Sequence, residues 1–221
     1  HEIGHIVFEK CLEKELKRDY HIITAGKRLN QIAKDFVDHY STSWEAGKAM
    51  FVCIDKLTCV RMHKLIGQYL DQKTEGLKES WKMASGEEKD QLSNQLAWME
   101  ETKMAVIVSE EQGEVEKFRK WGFDITPHRR IIKNGFELAG GTRIDVDSAF
   151  KKEGHPFRIA IVCAMWLTGF DVPSLANLYL DKPLKAHTLM QAIARANRVN
   201  GDKNIGLIID YCGILKNFRN A

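Results

Sequence analysis

The chain has 221 residues, of which 44% are hydrophobic and 29% are charged, and its formal net charge is +3. This length and composition predict one globular domain with attachments. The net charge is too small to indicate a nucleic-acid binder by itself, although it leaves room for a local basic face.

The five cysteines form no CxxC pair and no Cys/His cluster with zinc spacing. Cys53, Cys163 and Cys212 lie in apolar runs, as reduced core thiols of cytosolic proteins do. No run approaches the roughly 18 apolar residues of a membrane span, and no signal peptide is recognisable. We therefore expect a soluble cytoplasmic protein without a membrane partner. Because the sequence starts at His1 rather than Met, we also expect it to be part of something longer.

The spacing of the apolar residues changes along the chain. It is helical at first, and later it predicts strands that alternate with helices. Residues 5–40 show helical spacing with a break near Thr24 to Gly26. Later apolar runs predict buried strands at 49–55, 104–109, 157–166, 174–182 and 204–212. Helices are predicted at 56–70, 143–154 and 186–199, and a loop-rich stretch precedes Gly141.

Residues 71–103 are charged, with sparse apolar positions, and interrupt this alternation. Ser85 and Glu88 have the spacing of a capping box, in which the two side chains satisfy backbone N–H groups at the start of a helix. The segment is therefore predicted to be a helical insertion with a second helix beginning at Ser85.

Apolar strands that alternate with helices predict an α/β fold with a mostly parallel sheet covered on both faces. In such sheets ligands bind beyond the carboxyl ends of the strands. The candidate positions for chemistry are the loops after Asp55, Ser109, Trp166, Asp181 and Cys212.

Two short sequences match known motifs but lack residues that the chemistry of those motifs requires. "HEIGH" at residues 1–5 has the H-E-x-x-H zinc protease pattern, but it lies at the chain end with Gly4 inside it and no third ligand. The Gly-Lys pairs at 26–27 and 47–48 lack the upstream glycine and the following Ser or Thr of a phosphate-binding P-loop. We predict neither a metal site nor a P-loop here.

The loop "WLTGFDVPSL", residues 166–175, follows the strongest predicted strand. Thr168 offers a hydroxyl, Gly169 allows close backbone approach, and Asp171 places an acid in a tight loop. A plain turn between two strands, with the aspartate as turn former, is the alternative interpretation.

The predicted helix that contains "QAIARANR", residues 191–198, has two distinct sides. At about 100° per residue, Gln191, Arg195 and Arg198 lie within about 60° of one another, and the apolar side chains lie opposite. Arginine suits bidentate contact with phosphate. The alternative is a solvated helix face.

"TGFDVP" followed by a strand and "QAIARANR" resembles the last two helicase motifs of superfamily 2 nucleic-acid motors. The second motif is usually Q-x-x-G-R-x-x-R, and this chain has Ala194 in place of the glycine. The sequence "LANLYLDKPLKAHTLMQAIARANRVN" resembles more closely the motor subunit, or R subunit, of type I restriction enzymes. The resemblance is dense over 157–215 and thinner over 48–121.

The resemblance implies a RecA-like, P-loop NTPase-like three-layer domain, the second of two that clamp ATP. It would occupy 46–221, with 1–45 as a helical lead-in or linker and 71–103 as the insertion. ATP and Mg²⁺ would be held mainly by the first RecA-like domain, which these residues do not include.

Particular residues take roles from the same resemblance. Arg198 and Arg195 would reach the triphosphate as arginine fingers, and Gln191 would organise that contact. Thr168 and Gly169 would lie where the nucleotide cleft meets the DNA backbone. Gly169 would also contact the nucleotide, and Asp171 would lie near its ribose.

The implied function is ATP-dependent translocation on double-stranded DNA before cleavage, with methyltransferase (M) and specificity (S) subunits as partners. The residues contain no Walker A loop, acidic box or nuclease core, so the fragment alone is expected to be inactive. The alternatives are a domain of another superfamily 2 helicase or remodeller, a phosphate- or partner-binding α/β module, and a structural assembly domain.

Overall fold

The computed structural model describes residues 19–44, 47–138, 140–167, 175–184 and 207–213, with 188, 190, 191 and 194 in addition. Residues 19–23 are helical. The elements that follow are α1 (Gly26–Thr42), β1 (Lys48–Cys53), α2 (Lys56–Met83), α3 (Glu87–Glu101), β2 (Lys103–Ile107), α4 (Glu114–Lys120), α5 (Thr126–Asn134), β3 (Phe136–Glu137), β4 (Arg143–Ile144), α6 (Val146–Lys151), β5 (Phe157–Val162), β6 (Leu175–Asp181) and β7 (Leu207–Asp210).

A five-stranded sheet in the order β2-β5-β1-β6-β7 forms the centre of the fold. Every neighbouring pair in it is parallel. The predicted parallel sheet and its five strands are confirmed, although most of the strands are shorter than the apolar runs that predicted them. The strand from Phe157 ends at Val162 because the chain turns at the next residues.

Helices cover both faces of the sheet, so the predicted α/β architecture in three layers is confirmed. On one face α1, α2 and α4 pack against the strands, and the Phe36 ring lies 4.6 Å from Tyr179 and 5.4 Å from Phe51, centroid to centroid. On the other face α6 packs Phe150 against Phe157, with 5.0 Å between their centroids. The helical spacing of apolar residues in α1 therefore serves to cover the sheet.

The stretch predicted as loop-rich contains two helices, α4 and α5, and the strand β3. Both helices are short, with 7 and 9 residues, so they hold too few turns to show a clear apolar period. Arg129 of α5 holds them together, because it pairs with buried Glu114 and donates to the Val108 carbonyl at 2.5 Å. The predicted helix at 143–154 is also shorter, since β4 occupies its beginning and α6 ends at Lys151.

The predicted helical insertion is a hairpin of α2 and α3. Its capping box was predicted wrongly, because the residue before α3 is Gly86 and no side chain caps the helix. Gly86 has φ 60°, a conformation that glycine adopts without the steric cost that other residues have. The tight turn between the two antiparallel helices requires that conformation, which the Ser85–Glu88 spacing does not reveal.

Candidate functional site

The strands of the parallel sheet end along one edge, as predicted. Val52 lies beside Val162, and Ile107 lies on the other side of Val162. Further along the edge Cys53 lies beside Asp181. The loops that the sequence indicated as candidates for chemistry therefore begin at a common edge.

An ion pair between a half-buried arginine and a buried aspartate joins this edge to α1. Arg28 Nη2 lies 2.6 Å from Oδ1 of Asp181, whose side chain is fully buried. The same guanidinium donates to the Tyr211 carbonyl at 3.0 Å. Burial opposes the charged form of Arg28, but the hydrogen bond and charge of Asp181 raise its pKa. The pair ties α1 to the ends of β6 and β7.

Asp55 closes the end of β1 and begins α2. Its Oδ1 accepts a hydrogen bond from the Thr58 backbone N–H at 2.7 Å, which caps the helix. Its Oδ2 accepts the Tyr20 hydroxyl at 2.5 Å, and this bond raises the pKa of Tyr20 to about 12. Both carboxylate oxygens are therefore used in holding the chain together.

Three buried thiols lie behind this edge, those of Cys53, Cys59 and Cys163. Burial raises the pKa of Cys53 and of Cys59. Mutual hydrogen bonds link Cys59 to both of the others, and the bond to Cys59 raises the pKa of Cys163. Among the three cysteines predicted to be core thiols, Cys53 and Cys163 are confirmed, whereas Cys212 is only half-buried because it follows the end of β7. Neutral thiols pack in the core as small apolar side chains.

The backbone that leads from β5 toward Thr168 is strained. Trp166 has φ 68°, which a bulky residue adopts at a cost of about 1–3 kcal/mol. Its buried ring lies 5.3 Å from that of Phe150, centroid to centroid. Lys182 Nζ donates to the Cys163 carbonyl at 2.6 Å and holds the start of the same turn. Strain of this kind is common at functional loops.

Of the residues predicted to act on nucleotide or DNA, the structure describes Gln191. It is helical and half-buried, and its Oε1 is buried without a hydrogen-bond partner among the described residues. A buried amide oxygen without a hydrogen-bond partner costs free energy. The other predicted residues lie outside the described part of the chain: Thr168, Gly169, Asp171, Arg195 and Arg198.

The described residues contain no group of three or more His, Cys, Asp or Glu side chains arranged to hold a metal ion. Over the same residues, no helix is both long and apolar enough to cross a membrane.

The Arg28–Asp181 pair has no counterpart in the sequence predictions, although Asp181 was indicated as a strand end. The two residues are 153 positions apart in the chain, and no local pattern links them. One feature of the sequence could have indicated the pair. Asp181 ends a buried strand, and a charged side chain at such a position requires a partner.

These features define a parallel α/β domain whose candidate site lies at the carboxyl edge of the sheet. A family model described as "Type I restriction enzyme subunit R domain 3" matches residues 45–213. The chain belongs to this family.

Several relatives match nearly the whole chain, and two of them illustrate the match. The "Putative type I restriction enzyme MjaVIIP endonuclease subunit" of Methanocaldococcus jannaschii is 33% identical over 94% of this chain and 17% of its own length. The "Type I restriction enzyme HindI endonuclease subunit" of Haemophilus influenzae is 30% identical over 90% of this chain and 16% of its own length. The chain thus spans about one sixth of these relatives.

Among solved structures, a fragment of a "putative HsdR subunit of a type I restriction enzyme" from Vibrio vulnificus YJ016 is similar, with a TM-score of 0.48 and 19% identity. That similarity covers 86% of this chain and 28% of the solved one. The family assignment rests on the sequence match over residues 45–213.

Proposed function

We propose that this chain is the second RecA-like motor domain of a type I restriction enzyme R subunit. In that role it supports ATP-dependent translocation along double-stranded DNA, the step that precedes DNA cleavage. The positions of the two motifs relative to the strands support this proposal. In a chain of this family, "TGFDVP" follows the strained turn after β5, and "QAIARANR" comes between β6 and β7 in the sequence.

Arg198 and Arg195 are the residues proposed to reach the nucleotide. Guanidinium groups stabilise charge on a transferring phosphoryl group, and one such arginine contributes about 10³ to 10⁵ in rate. Gln191 would orient that contact, and its buried Oε1 without a partner among the described residues fits a group that gains one on domain closure.

The "TGFDVP" loop is proposed to couple nucleotide and DNA. Thr168 and Gly169 would contact the DNA backbone, and Gly169 and Asp171 the nucleotide. ATP with Mg²⁺ would be held mainly by the first RecA-like domain, and its hydrolysis would supply the energy for movement. Backbone-directed contacts suit tracking along duplex DNA regardless of sequence.

The activity is proposed for the whole subunit in the cytoplasm. There the M and S subunits would choose the site, and a nuclease domain elsewhere in the subunit would cut. The fragment alone is expected to hydrolyse no ATP and to leave DNA intact.

The test is Arg198→Ala in the complete R subunit, assembled with its M and S subunits. We expect the DNA-stimulated ATPase rate to fall about 10³-fold or more, because the arginine finger is lost. Binding to a DNA fragment that carries the recognition site should stay near the wild-type level.

Arg143→Ala is the matched control, because Arg143 is an exposed arginine of the same domain, on the short strand β4. Its ATPase rate should equal that of the wild type. Wild-type turnover in the Arg198→Ala enzyme would overturn the motor assignment.

A further inference from the structure

A basic groove lies between α1 and α2, and its lining includes no residue of the two motifs. It has a volume of about 520 Å³. The polar side chains that line it are Lys27, Asn30, Arg61, Lys64 and Gln68. Three of these five are cationic and two are amides, and none of the lining residues is acidic. We call it the α1–α2 groove.

The two lysines of the groove differ from other cations of the chain in their ion pairing. Lys27 and Lys64 are exposed and form no ion pair within the described ranges. Other cations of this chain do pair, such as Lys82 with Glu79 at 2.7 Å and Lys78 with Glu100 at 3.1 Å. An unpaired cluster of cations raises the local concentration of anions.

Arg61 is the cation with a fixed position in the groove. Its Nη1 donates to the Thr24 carbonyl at 2.8 Å, which holds the guanidinium in place. Its Nη2 lies against the start of α1, 3.7 Å from where a Cβ on Gly26 would be. The first turn of α1 carries no acidic side chain and no side-chain cap, so its N–H groups add positive potential beside Arg61.

The lining favours an anionic ligand that accepts hydrogen bonds. Ammonium, guanidinium and amide groups all donate hydrogen bonds, and a phosphate group carries negative charge and accepts several such bonds at once. The side chains come from two helices that pack side by side, and the groove between them is open to solvent. An open groove lined by cations can take phosphates of a long polymer, which a closed cavity could not.

We propose that the α1–α2 groove binds backbone phosphates of double-stranded DNA. This rests on the proposed function and adds to it a second DNA contact outside the two motifs. Lys27 and Lys64 contribute mobile charges, and Arg61 contributes the fixed donor. The Gly-Lys pair at residues 26–27, which lacks the sequence of a P-loop, belongs to this surface.

The test compares the wild-type chain with the double variant Lys27→Glu/Lys64→Glu, using a labelled short DNA duplex at a series of salt concentrations. Two phosphate contacts account for about 2 in the slope of log K against log salt, so the slope should fall by about that amount. Binding at low salt should weaken about tenfold or more. Both lysines are exposed, so the melting temperature should not change.

Lys133→Glu/Lys151→Glu is the matched control, because it makes the same change of net charge at exposed positions on α5 and α6. We expect it to keep the wild-type salt slope, and Lys27→Arg/Lys64→Arg should do the same. Equal slopes for the two glutamate variants would overturn the proposal.

A free phosphate ion is the other source of the same chemistry. Inorganic phosphate is therefore titrated into the wild type and into Lys27→Glu/Lys64→Glu without DNA. Suppose that phosphate raises the melting temperature of the wild type but not of Lys27→Glu/Lys64→Glu, and that both proteins bind duplex DNA equally. The groove then binds small anions, and the DNA proposal is wrong. The Arg198→Ala ATPase assay tests the motor assignment separately, because it leaves the groove intact.

Discussion

Buried ionisable side chains are the residues whose chemistry the tertiary structure changes most. Lys48 is an example, since its side chain is buried and its Nζ donates to the Ala149 carbonyl at 2.8 Å and the Lys152 carbonyl at 2.6 Å. Burial is the main cause that lowers its pKa to about 8. The lysine of the second Gly-Lys pair therefore holds the end of α6 against β1.

His128 should make the fold sensitive to acid. Burial, and then the charge of neighbouring His63, lower its pKa from 6.5 to about 4. The folded state thus holds the neutral imidazole, whereas the unfolded chain takes up a proton near the ordinary pKa. Stability present above pH 6.5 should be lost as the pH falls toward 4, by about 3 kcal/mol.

His128→Phe should reduce this loss, as measured by urea unfolding at pH 7 and at pH values between about 4 and 5. His128 Nδ1 has no hydrogen-bond partner among the described residues, so the phenyl ring forfeits none there. His21→Phe, at an exposed histidine, is the control and should keep the full acid sensitivity. An unchanged loss in His128→Phe would show that another group is responsible.

At the scale of elements, the α2–α3 hairpin extends beyond the region that packs on the sheet. The last fully buried residue of α2 is Ile66, although the helix continues to Met83, and α3 buries only Met99. The outer part of the hairpin is therefore held by helix propensity, its turn and surface ion pairs, each of which contributes little.

Two glycines of the hairpin should respond in opposite ways to alanine. Gly76 lies within α2, and no atom of the described residues lies within 4 Å of a Cβ added there, so Gly76→Ala should stabilise the chain by about 0.5–1 kcal/mol. Gly86 has φ 60° in the turn, so Gly86→Ala should destabilise it by about 1 kcal/mol or more. Urea unfolding measures the change in the free energy of unfolding of each variant. Changes of the same sign in both variants would contradict the proposed role of Gly86 in the turn.

Helices and strands could be predicted from the sequence where consecutive or regularly spaced residues are buried. Strands such as Phe157–Val162 are almost entirely apolar, with Arg158 as the exception, because helices cover both faces of the sheet, so the sequence shows them as apolar runs. Helices α4 and α5 were missed because few of their residues are buried: Glu114, Phe118 and His128. Two of these three are polar, so the apolar pattern could not reveal them.

At the scale of the whole molecule, the sheet separates two cores. One contains Phe36, Phe51 and Tyr179 beneath α1 and α2, and the other contains Phe150 and Phe157 beneath α6. Helix α1 contributes to the first core although it precedes the predicted boundary at residue 45. That boundary stays a prediction.

Because the sheet lies between the two cores, substitutions in them should act independently. Ile66→Val in the first core should cost about 1 kcal/mol, and Val146→Ala in the second about 1–2 kcal/mol. The double variant should lose the sum within about 0.5 kcal/mol in urea unfolding. A larger deviation would mean that the two faces are coupled through the strands.

The candidate site could be predicted only in part. "TGFDVP" and "QAIARANR" are local strings whose residue types indicate phosphate chemistry, so they could be found in sequence, and the roles of Arg195 and Arg198 stay predictions. The α1–α2 groove could not be found in this way. Lys27 and Lys64 belong to different helices and become neighbours only when both helices pack on the sheet.

The sequence by itself determined the alternation of strands and helices, the parallel sheet and the edge where its loops begin. It could do so because buried strands are encoded as runs of apolar residues, which are recognisable from neighbouring positions in the sequence. Only the tertiary structure decided which charges meet. It paired Arg28 with Asp181 and left Lys27 and Lys64 without partners among the described residues. Such pairing depends on distances between residues far apart in the chain, and no local pattern encodes those distances.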